Sequence, residues 1–266
     1  MNRRYAVIGN PVQHSRSPWL HTYFARQTQR PIVYAAYQPA GSFADCAGAF
    51  FAGGGCGLNI TLPYKTDALA FADSASAYAR QVAAANVLKR QADGSIRAYN
   101  TDGSGFLRDL QRLGTTLSDK TILLLGAGGA AQAVAHAINS QQPARLSIYN
   151  RTPERAQQLA QQCGGSAIAI TDIADERPAE IIINATSASH KQPLSYAPAL
   201  FRQTQLAYDL SYGTAAQHFL RQAASAGVVQ CVDGSGMLAW QAALSFALWE
   251  GVLPSVAEAI PHLQPH

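Results

Sequence analysis

Charge is scarce in this chain. Asp, Glu, Lys and Arg make up 14% of its 266 residues, against about a quarter in an ordinary soluble domain. There is no block of Lys or Arg, and the net charge is only +4. The footprint of a nucleic-acid binder is therefore missing, and small anionic ligands fit the balance better. Cysteine is also sparse. Cys46, Cys56, Cys163 and Cys231 are scattered, with no C-x-x-C pair. That excludes a disulfide framework and leaves reduced thiols in a cytosolic protein as the expectation. His14 and His21 lack the spacing of metal ligands, so no metal is expected. Met1–Ile8 has two arginines but no long apolar core, so no signal peptide is expected there. Long apolar spans are missing as well. The uncharged run between Lys120 and Arg145 is broken by a glycine cluster, Gln132, His136, Asn139 and Ser140, and the run Gly234–Trp249 is shorter and contains Gln241. Both read as buried strand, turn or helix, and no membrane partner is expected. No internal repeat or low-complexity tract is evident.

What is abundant is apolar: 48% of residues, enough to build a sizeable core in two modest domains or one large one. The first hundred residues alternate strand and helix signals. Strands are expected at Tyr5–Ile8, Ile32–Tyr37 and Leu58–Thr61. A helix opens at Pro18, and another is capped by Ser42 and ended by Gly53-Gly54-Gly55. Val87–Lys89 and Ile96–Tyr99 flank Asp93-Gly94, a hairpin signal. A helix from about Thr101 to Leu113 closes at Gly114. Then the pattern becomes regular β-α repeats. Strands are expected at Thr121–Leu125, Leu146–Tyr149, Ile181–Asn184 and Leu206–Asp209, with helices at Ala130–Asn139, Pro153–Cys163 and Ala215–Ala226. This is the pattern of a parallel doubly wound domain. Met237–Trp249 and Ser255–Leu263 read as apolar helices returning to the first domain.

Gly126-Ala127-Gly128-Gly129-Ala130-Ala131 fits G-x-G-x-x-A between an apolar strand and an apolar helix. Glycines allow a tight turn and close approach of backbone to a pyrophosphate, and the helix then offers its N-terminal N–H groups. A dinucleotide site is the reading. Asn150-Arg151-Thr152 follows where an NAD enzyme usually places an acid for the ribose hydroxyl. A carboxylate there would repel a 2′-phosphate. Arg151 can pair with one, Asn150 and Thr152 can donate hydrogen bonds, and Arg155 follows one turn later. NADP is therefore expected over NAD. The same residues also read as a solvated helix start with Thr152 as N-cap and Pro153 at N1, and both readings use one geometry.

The N-terminal part holds polar residues where a core is not expected. His14-Ser15-Arg16-Ser17-Pro18 lies between strand and helix and could present two hydroxyls or simply cap the helix. Asn59-Ile60-Thr61-Leu62-Pro63-Tyr64-Lys65 ends a strand, and Lys65 alone would read as a surface lysine. Asn86 begins a strand after an alanine run. In Asn100-Thr101-Asp102-Gly103, Asp102 could cap a helix. Together with Gly9-Asn10-Pro11, the glycine turn, Asn184-Ala185-Thr186-Ser187, and Asp233-Gly234-Ser235-Gly236-Met237 with Gln241, these segments occur in an order that resembles the shikimate dehydrogenase family over nearly the whole chain.

The resemblance implies an α/β fold, with an N-terminal α/β substrate domain and a C-terminal doubly wound Rossmann NADP-binding domain. The substrate domain would span residues 1–101 and be completed by C-terminal helices in 237–266, with the NADP domain at 102–236. It implies reversible NADPH-dependent reduction of 3-dehydroshikimate to shikimate, on the route to chorismate and the aromatic amino acids. Ser15 and Ser17 would hold the substrate carboxylate. Thr61, Asn86 and Gln241 would bond the ring hydroxyls, with Asn59 and Tyr212 nearby. Lys65 and Asp102 would be the catalytic pair. Gly126, Ala127, Gly128, Gly129, Ala130, Asn150, Arg151, Thr152 and Arg155 would bind NADP, with Leu210 and Gly234 lining its site. A ketone gaining hydride develops alkoxide character, so a proton donor is needed, and a lysine beside a carboxylate can serve. Two domains with the site in a cleft imply opening and closing. The family includes monomers and homodimers.

The chain departs from the common pattern at Ala77, Val87, Ser189, Leu210 and Ser235, and none of these removes an expected catalytic group. Ser189 stands where a glycine borders the nicotinamide half, and His190 reads as a solvated loop residue. Two alternatives remain open. One is a quinate/shikimate dehydrogenase with relaxed specificity, and the other is a non-catalytic NADP-binding paralogue. The first is disfavoured by the lack of an acid at 150–152 and by the Ser-x-Ser pair. The second is disfavoured because Lys65, Asp102, Asn86 and Gln241 are all present.

Overall fold

A computed structural model describes residues 3–173, 178–186 and 194–263. The chain divides into two compact units, Met1–Gly105 with Ala239–Pro261, and Phe106–Leu238 with His262–His266. It passes from one unit to the other inside helices rather than in loops.

The first unit contains β1 (Arg3–Ile8), α1 (Ser17–Gln27), β2 (Ile32–Tyr37), α2 (Phe43–Ala52), β3 (Gly57–Ile60), α3 (Lys65–Phe71), β4 (Ser74–Ala75), α4 (Ala77–Gln81), β5 (Val87–Arg90) and β6 (Ile96–Tyr99). Its sheet runs β2-β1-β3-β5-β6-β4. β1 pairs parallel with β2 and β3, whereas β5 is antiparallel to both β3 and β6. One face buries Ile8, Phe50, Phe51, Leu58, Ile60 and Leu88. Each such side chain contributes about 1.5–3 kcal/mol by leaving water. The other face is closed by Trp249, which stacks on Tyr5 at 4.6 Å and donates its indole N–H to the Leu88 carbonyl at 3.2 Å. Gly57 lies under that indole: a Cβ there would sit 2.3 Å from Trp249 Nε1. Trp249 belongs to α9 (Ser235–Glu250), so the end of that helix completes this unit.

The second unit begins in α5 (Asp102–Arg112) and continues through β7 (Thr121–Leu125), α6 (Gly129–Asn139), β8 (Arg145–Tyr149), α7 (Pro153–Cys163), β9 (Ala167–Ile170), β10 (Ile181–Asn184), β11 (Leu206–Asp209), α8 (Gln217–Ser225) and β12 (Gln230–Val232) to the start of α9. Its strands are all parallel in the order β12-β11-β10-β7-β8-β9. Counted within the unit this is 3-2-1-4-5-6, the doubly wound order. The direction of winding reverses between β7 and β10, where dinucleotides bind in such sheets. Ile122, Leu124, Ile148 and Ile183 fill one face, and Leu123, Leu125, Ile182 and Ala207 the other. Burial on both sides explains why these strands read as unbroken apolar runs.

One expectation changes. Ser255–Leu263 is not an α-helix: among the described residues after Glu250 the helical element is a 3-10 turn at Ile260–Leu263. Pro254 and Pro261 bracket too few residues to nucleate a helix. The short strands β4, β9 and β12, and the helices α3 and α4, carry no expectation from periodicity. Among the described residues no helix is long and apolar enough to cross a membrane.

Candidate active site

In the first unit, four of the expected residues meet: Lys65, Asn86 and Asp102, which are buried, and Gln241, which is half-buried. β3 ends at Ile60, and the turn after it places Lys65 at the first position of α3. Lys65 is 9% exposed and Asp102 5%. Lys65 Nζ stands 2.6 Å from Asp102 Oδ2. The other carboxylate oxygen accepts from Asn86 Nδ2 at 2.8 Å. Asn86 Oδ1 in turn accepts from the Thr101 N–H at 2.8 Å, and Gln241 Oε1 lies 3.2 Å from Asn86 Nδ2. The carboxylate of Asp102 is thus turned to the lysine rather than spent on a helix cap. The local backbone role falls to Asn100, whose Oδ1 accepts the Asp102 N–H at 3.0 Å. A lysine and a carboxylate this deep are tolerated because each is paired and hydrogen-bonded.

Asn59 is buried beside this group, and its amide is engaged by protein. Tyr34 donates its hydroxyl to Asn59 Oδ1 at 2.7 Å, and Asn59 Nδ2 donates to Ser245 Oγ at 3.0 Å. Ser245 also lies 3.2 Å from Thr101 Oγ1 and donates to the Gln241 carbonyl at 2.8 Å. Ser245 had no place among the expected residues. The signal available was a hydroxyl one helical turn from Gln241 in an apolar helix.

Ser15 and Ser17 open α1, where the Ser17 N–H donates to Ser15 Oγ at 3.3 Å. Ser17 is buried and hydrogen-bonds Tyr34, whose hydroxyl burial pushes well above the ordinary tyrosine range. Thr61 follows β3, and its methyl group occupies the space a side chain at Gly9 would need, 2.3 Å from that Cβ position.

His21, fully buried, stacks on Tyr34 at 4.3 Å. Burial drives its pKa down from 6.5 to about 3. Below 6.5 the unfolded chain binds a proton that the folded chain refuses, so stability falls as the pH drops from 6.5 toward 3, by up to about 1.4 kcal/mol per pH unit. His21→Phe is expected to flatten that limb in urea unfolding at pH 7 and pH 5. An unchanged difference between the two pH values would count against it.

In the second unit, Gly126 ends β7 with φ +110°, and a Cβ there would approach the Ala185 carbonyl oxygen to 2.9 Å. Glycine alone suits both constraints. Gly128 is the N-cap of α6 and gives it no side-chain cap. The first-turn N–H groups are therefore available to a ligand. Asn150 pins the turn: its Oδ1 accepts from the Ala127 N–H at 3.2 Å, and its Nδ2 donates to the Thr152 carbonyl at 2.9 Å. Thr152 is the N-cap of α7 with Pro153 following, yet its side chain makes no cap bond. Arg151, Thr152 and Arg155 are exposed, and Gly129 and Ala130 half-buried.

Leu210 and Tyr212 lie on the loop after β11, and Gly234 precedes α9. A Cβ on Gly234 would sit 2.2 Å from the Leu210 carbonyl oxygen, so the two backbones touch. Asp209 roots this loop. Its pKa is pushed up to about 6 by burial, against hydrogen bonds from Ser211 and Asn184. Among the described residues no group of three or more His, Cys, Asp or Glu could hold a metal.

Three family models match in chain order. They are the shikimate dehydrogenase substrate binding domain over residues 7–88, shikimate / quinate 5-dehydrogenase over 109–195, and the shikimate 5′-dehydrogenase C-terminal domain over 234–261. A shikimate dehydrogenase (NADP(+)) of Vibrio cholerae serotype O1 is 42% identical over 265 residues, covering 98% of this chain and 95% of the relative. The chain belongs to the shikimate dehydrogenase family. Solved structures are also similar to the chain. A shikimate 5-dehydrogenase from Thermus thermophilus, in complex with NADP(H) and shikimate, is 34% identical with a TM-score of 0.87, over 98% of this chain and 99% of that one. An Ael1 enzyme from Pseudomonas putida is 37% identical with a TM-score of 0.92, over 100% and 99%.

Against the common shikimate dehydrogenase pattern, Val87 is explained as core: it is fully buried with Tyr5 and Trp249. Ala77 starts α4 behind its Ser76 cap. Leu210 is half-buried on its loop. Ser235 is buried with no partner for its hydroxyl among the described residues, and nothing in the structure explains the serine. Ser187, Ser189 and His190 lie outside the described residues.

Proposed function

We propose that this protein catalyses the reversible NADP-dependent reduction of 3-dehydroshikimate to shikimate, serving chorismate and aromatic amino-acid synthesis in the cytoplasm. The observation that carries the reading is the buried Lys65–Asp102 pair at 2.6 Å, tied through Asn86 to Gln241. A lysine at the surface would need no such partners, and a buried pair linked to two further polar side chains suits proton transfer. The first unit then takes the substrate. Ser15 and Ser17 receive its carboxylate, and Thr61, Asn86 and Gln241 its ring hydroxyls. Asn59 and Tyr212 are the further residues assigned to the substrate.

The second unit takes the cofactor, and its residues fit NADP. Among the described residues, apart from its chain neighbours and its own helix, a Cβ on Gly128 would meet nothing within 4 Å, so glycine there leaves room for a pyrophosphate to approach the start of α6. Gly126, Ala127, Gly129 and Ala130 complete that turn. Asn150, Thr152, Arg151 and Arg155 offer donors and positive charge, with no acid, for a 2′-phosphate. Leu210 and Gly234 line the nicotinamide half. NADPH supplies a hydride when bound. Reduction also needs a proton on the carbonyl oxygen; Lys65 Nζ gives it and recovers one from solvent. In the reverse direction Lys65 accepts the hydroxyl proton. Asp102 keeps the ammonium aimed and its charge balanced.

Initial rates with shikimate and quinate, each with NADP and NAD, test the reading. Shikimate with NADP is expected to be the best pair by at least about tenfold, since one lost charge-assisted contact is worth that much. Comparable rates with quinate or NAD would move the protein to a dehydrogenase of relaxed specificity. A folded, NADP-binding protein without turnover would be a non-catalytic relative.

A further inference from the structure

The loop that carries Leu210 and Tyr212 is held from two sides by carboxylates to which no ligand contact has been given. Asp209, at the end of β11, accepts the Ser211 N–H through Oδ1 at 2.8 Å and Asn184 Nδ2 through Oδ2 at 2.7 Å. Asn184 in turn accepts from the Thr186 N–H and hydroxyl at the end of β10. Asp233 works at the tip of the loop. One of its oxygens accepts the Gly213 N–H and the other the Ser235 N–H, both at 3.1 Å. A single carboxylate thus joins two segments well apart in the chain, the loop after β11 and the first turn of α9. The Gly234 N–H adds a bond to the Ser211 carbonyl at 2.8 Å, and the Leu210 carbonyl fills the space beside Gly234. Gly213 has φ +65°, so the loop turns sharply where Asp233 grips it.

We propose that Asp233 is a positioning residue: it fixes the Leu210–Gly213 loop against the start of α9 and so sets the shape of the nicotinamide half of the cofactor site. This rests on the reading that Leu210 and Gly234 line that half. The adenosine half is built from other residues, the turn after β7 and the start of α7. Asp233 therefore acts on one end of NADP and not on the other. An amide at this position keeps one acceptor but turns an N–H toward a backbone N–H, so Asp233→Asn breaks one side of the clamp while nearly preserving size.

The test is Asp233→Asn in the full chain, titrated with NADP and with adenosine 2′,5′-bisphosphate and assayed with shikimate. The expected result is NADP binding weakened about tenfold and kcat lowered about 10–100-fold, the scale of a misplacement near 1 Å, with bisphosphate binding within twofold of the parent. Two results would overturn the proposal. One is NADP affinity and kcat both within twofold of the parent; the other is an equal loss of both ligands, which marks damage to the whole unit. Amide hydrogen exchange on the parent stands beside this should the variant not fold. Gly213 and Ser235 are expected to exchange slowly, and exchange at free-loop rates would contradict the clamp. A parent that binds NADP but does not oxidise shikimate would sink the proposed function, while the two titrations still decide the role of Asp233.

Discussion

Lys65→Ala is expected to lower kcat by about 10²–10⁴-fold, the usual share of a positioned general acid, while NADP affinity stays within about twofold because the proposed cofactor contacts are other residues. The geometry also predicts a stability cost. Removing the ammonium leaves the Asp102 carboxylate, 5% exposed, with Asn86 as its side-chain donor among the described residues. Breaking one side of a buried pair typically costs about 3–5 kcal/mol. Asp102→Asn should lower kcat by orders of magnitude too, because Lys65 loses the partner that aims it. The double variant Lys65→Met with Asp102→Asn should regain much of the lost stability, since neither charge is then left unpaired, and none of the activity. Steady-state kinetics with urea unfolding on the three variants separates the two effects. Near-normal turnover in both single variants would remove the pair from the mechanism.

Arg151→Ala combined with Arg155→Ala is expected to weaken NADP binding by about 10–100-fold, from the loss of charge-assisted hydrogen bonds worth about 1.5–3 kcal/mol. NAD, which lacks the 2′-phosphate, should bind within about twofold of the parent value. Both guanidinium groups sit at the exposed start of α7, so the change should leave the core intact. Fluorescence titration with both cofactors checks this. Equal weakening of NADP and NAD would assign the arginines to the pyrophosphate or to the fold, and no weakening of either would take them out of the site.

Where apolar burial and backbone constraint coincide, the chain was readable in advance. Thr121–Leu125 is apolar on both faces because β7 is central in an all-parallel sheet, and Gly126 follows because φ +110° and the Ala185 carbonyl leave no room for a side chain. The Asp93-Gly94 hairpin was visible for the same reason, with Gly94 at φ +87°. The two-residue strand β4 was not visible, because its pairing with β6 supplies what its own residues do not. β12 is three residues long at a sheet edge beside Val229, which is exposed. The Ser255–Leu263 stretch has helical spacing of apolar residues, but proline interrupts the hydrogen bonds that spacing assumes.

The site divides in the same way. Lys65, Asn86 and Asp102 could be named by resemblance, but their meeting point is tertiary: it depends on β3, β5 and the start of α5 converging. Ser245 and Tyr34 were missed because a lone hydroxyl in an apolar segment carries no pattern. Their role as internal partners of Asn59 appears only when β2, β3 and α9 are placed together.

The most direct measurement is the formation of NADPH, followed by absorbance, when the purified full chain is mixed with shikimate and NADP. Turnover of about 1–10³ s⁻¹, the range of ordinary enzymes, that disappears in Lys65→Ala while NADP still binds, is the predicted result. A folded chain that binds NADP and shikimate yet forms no NADPH would contradict the account.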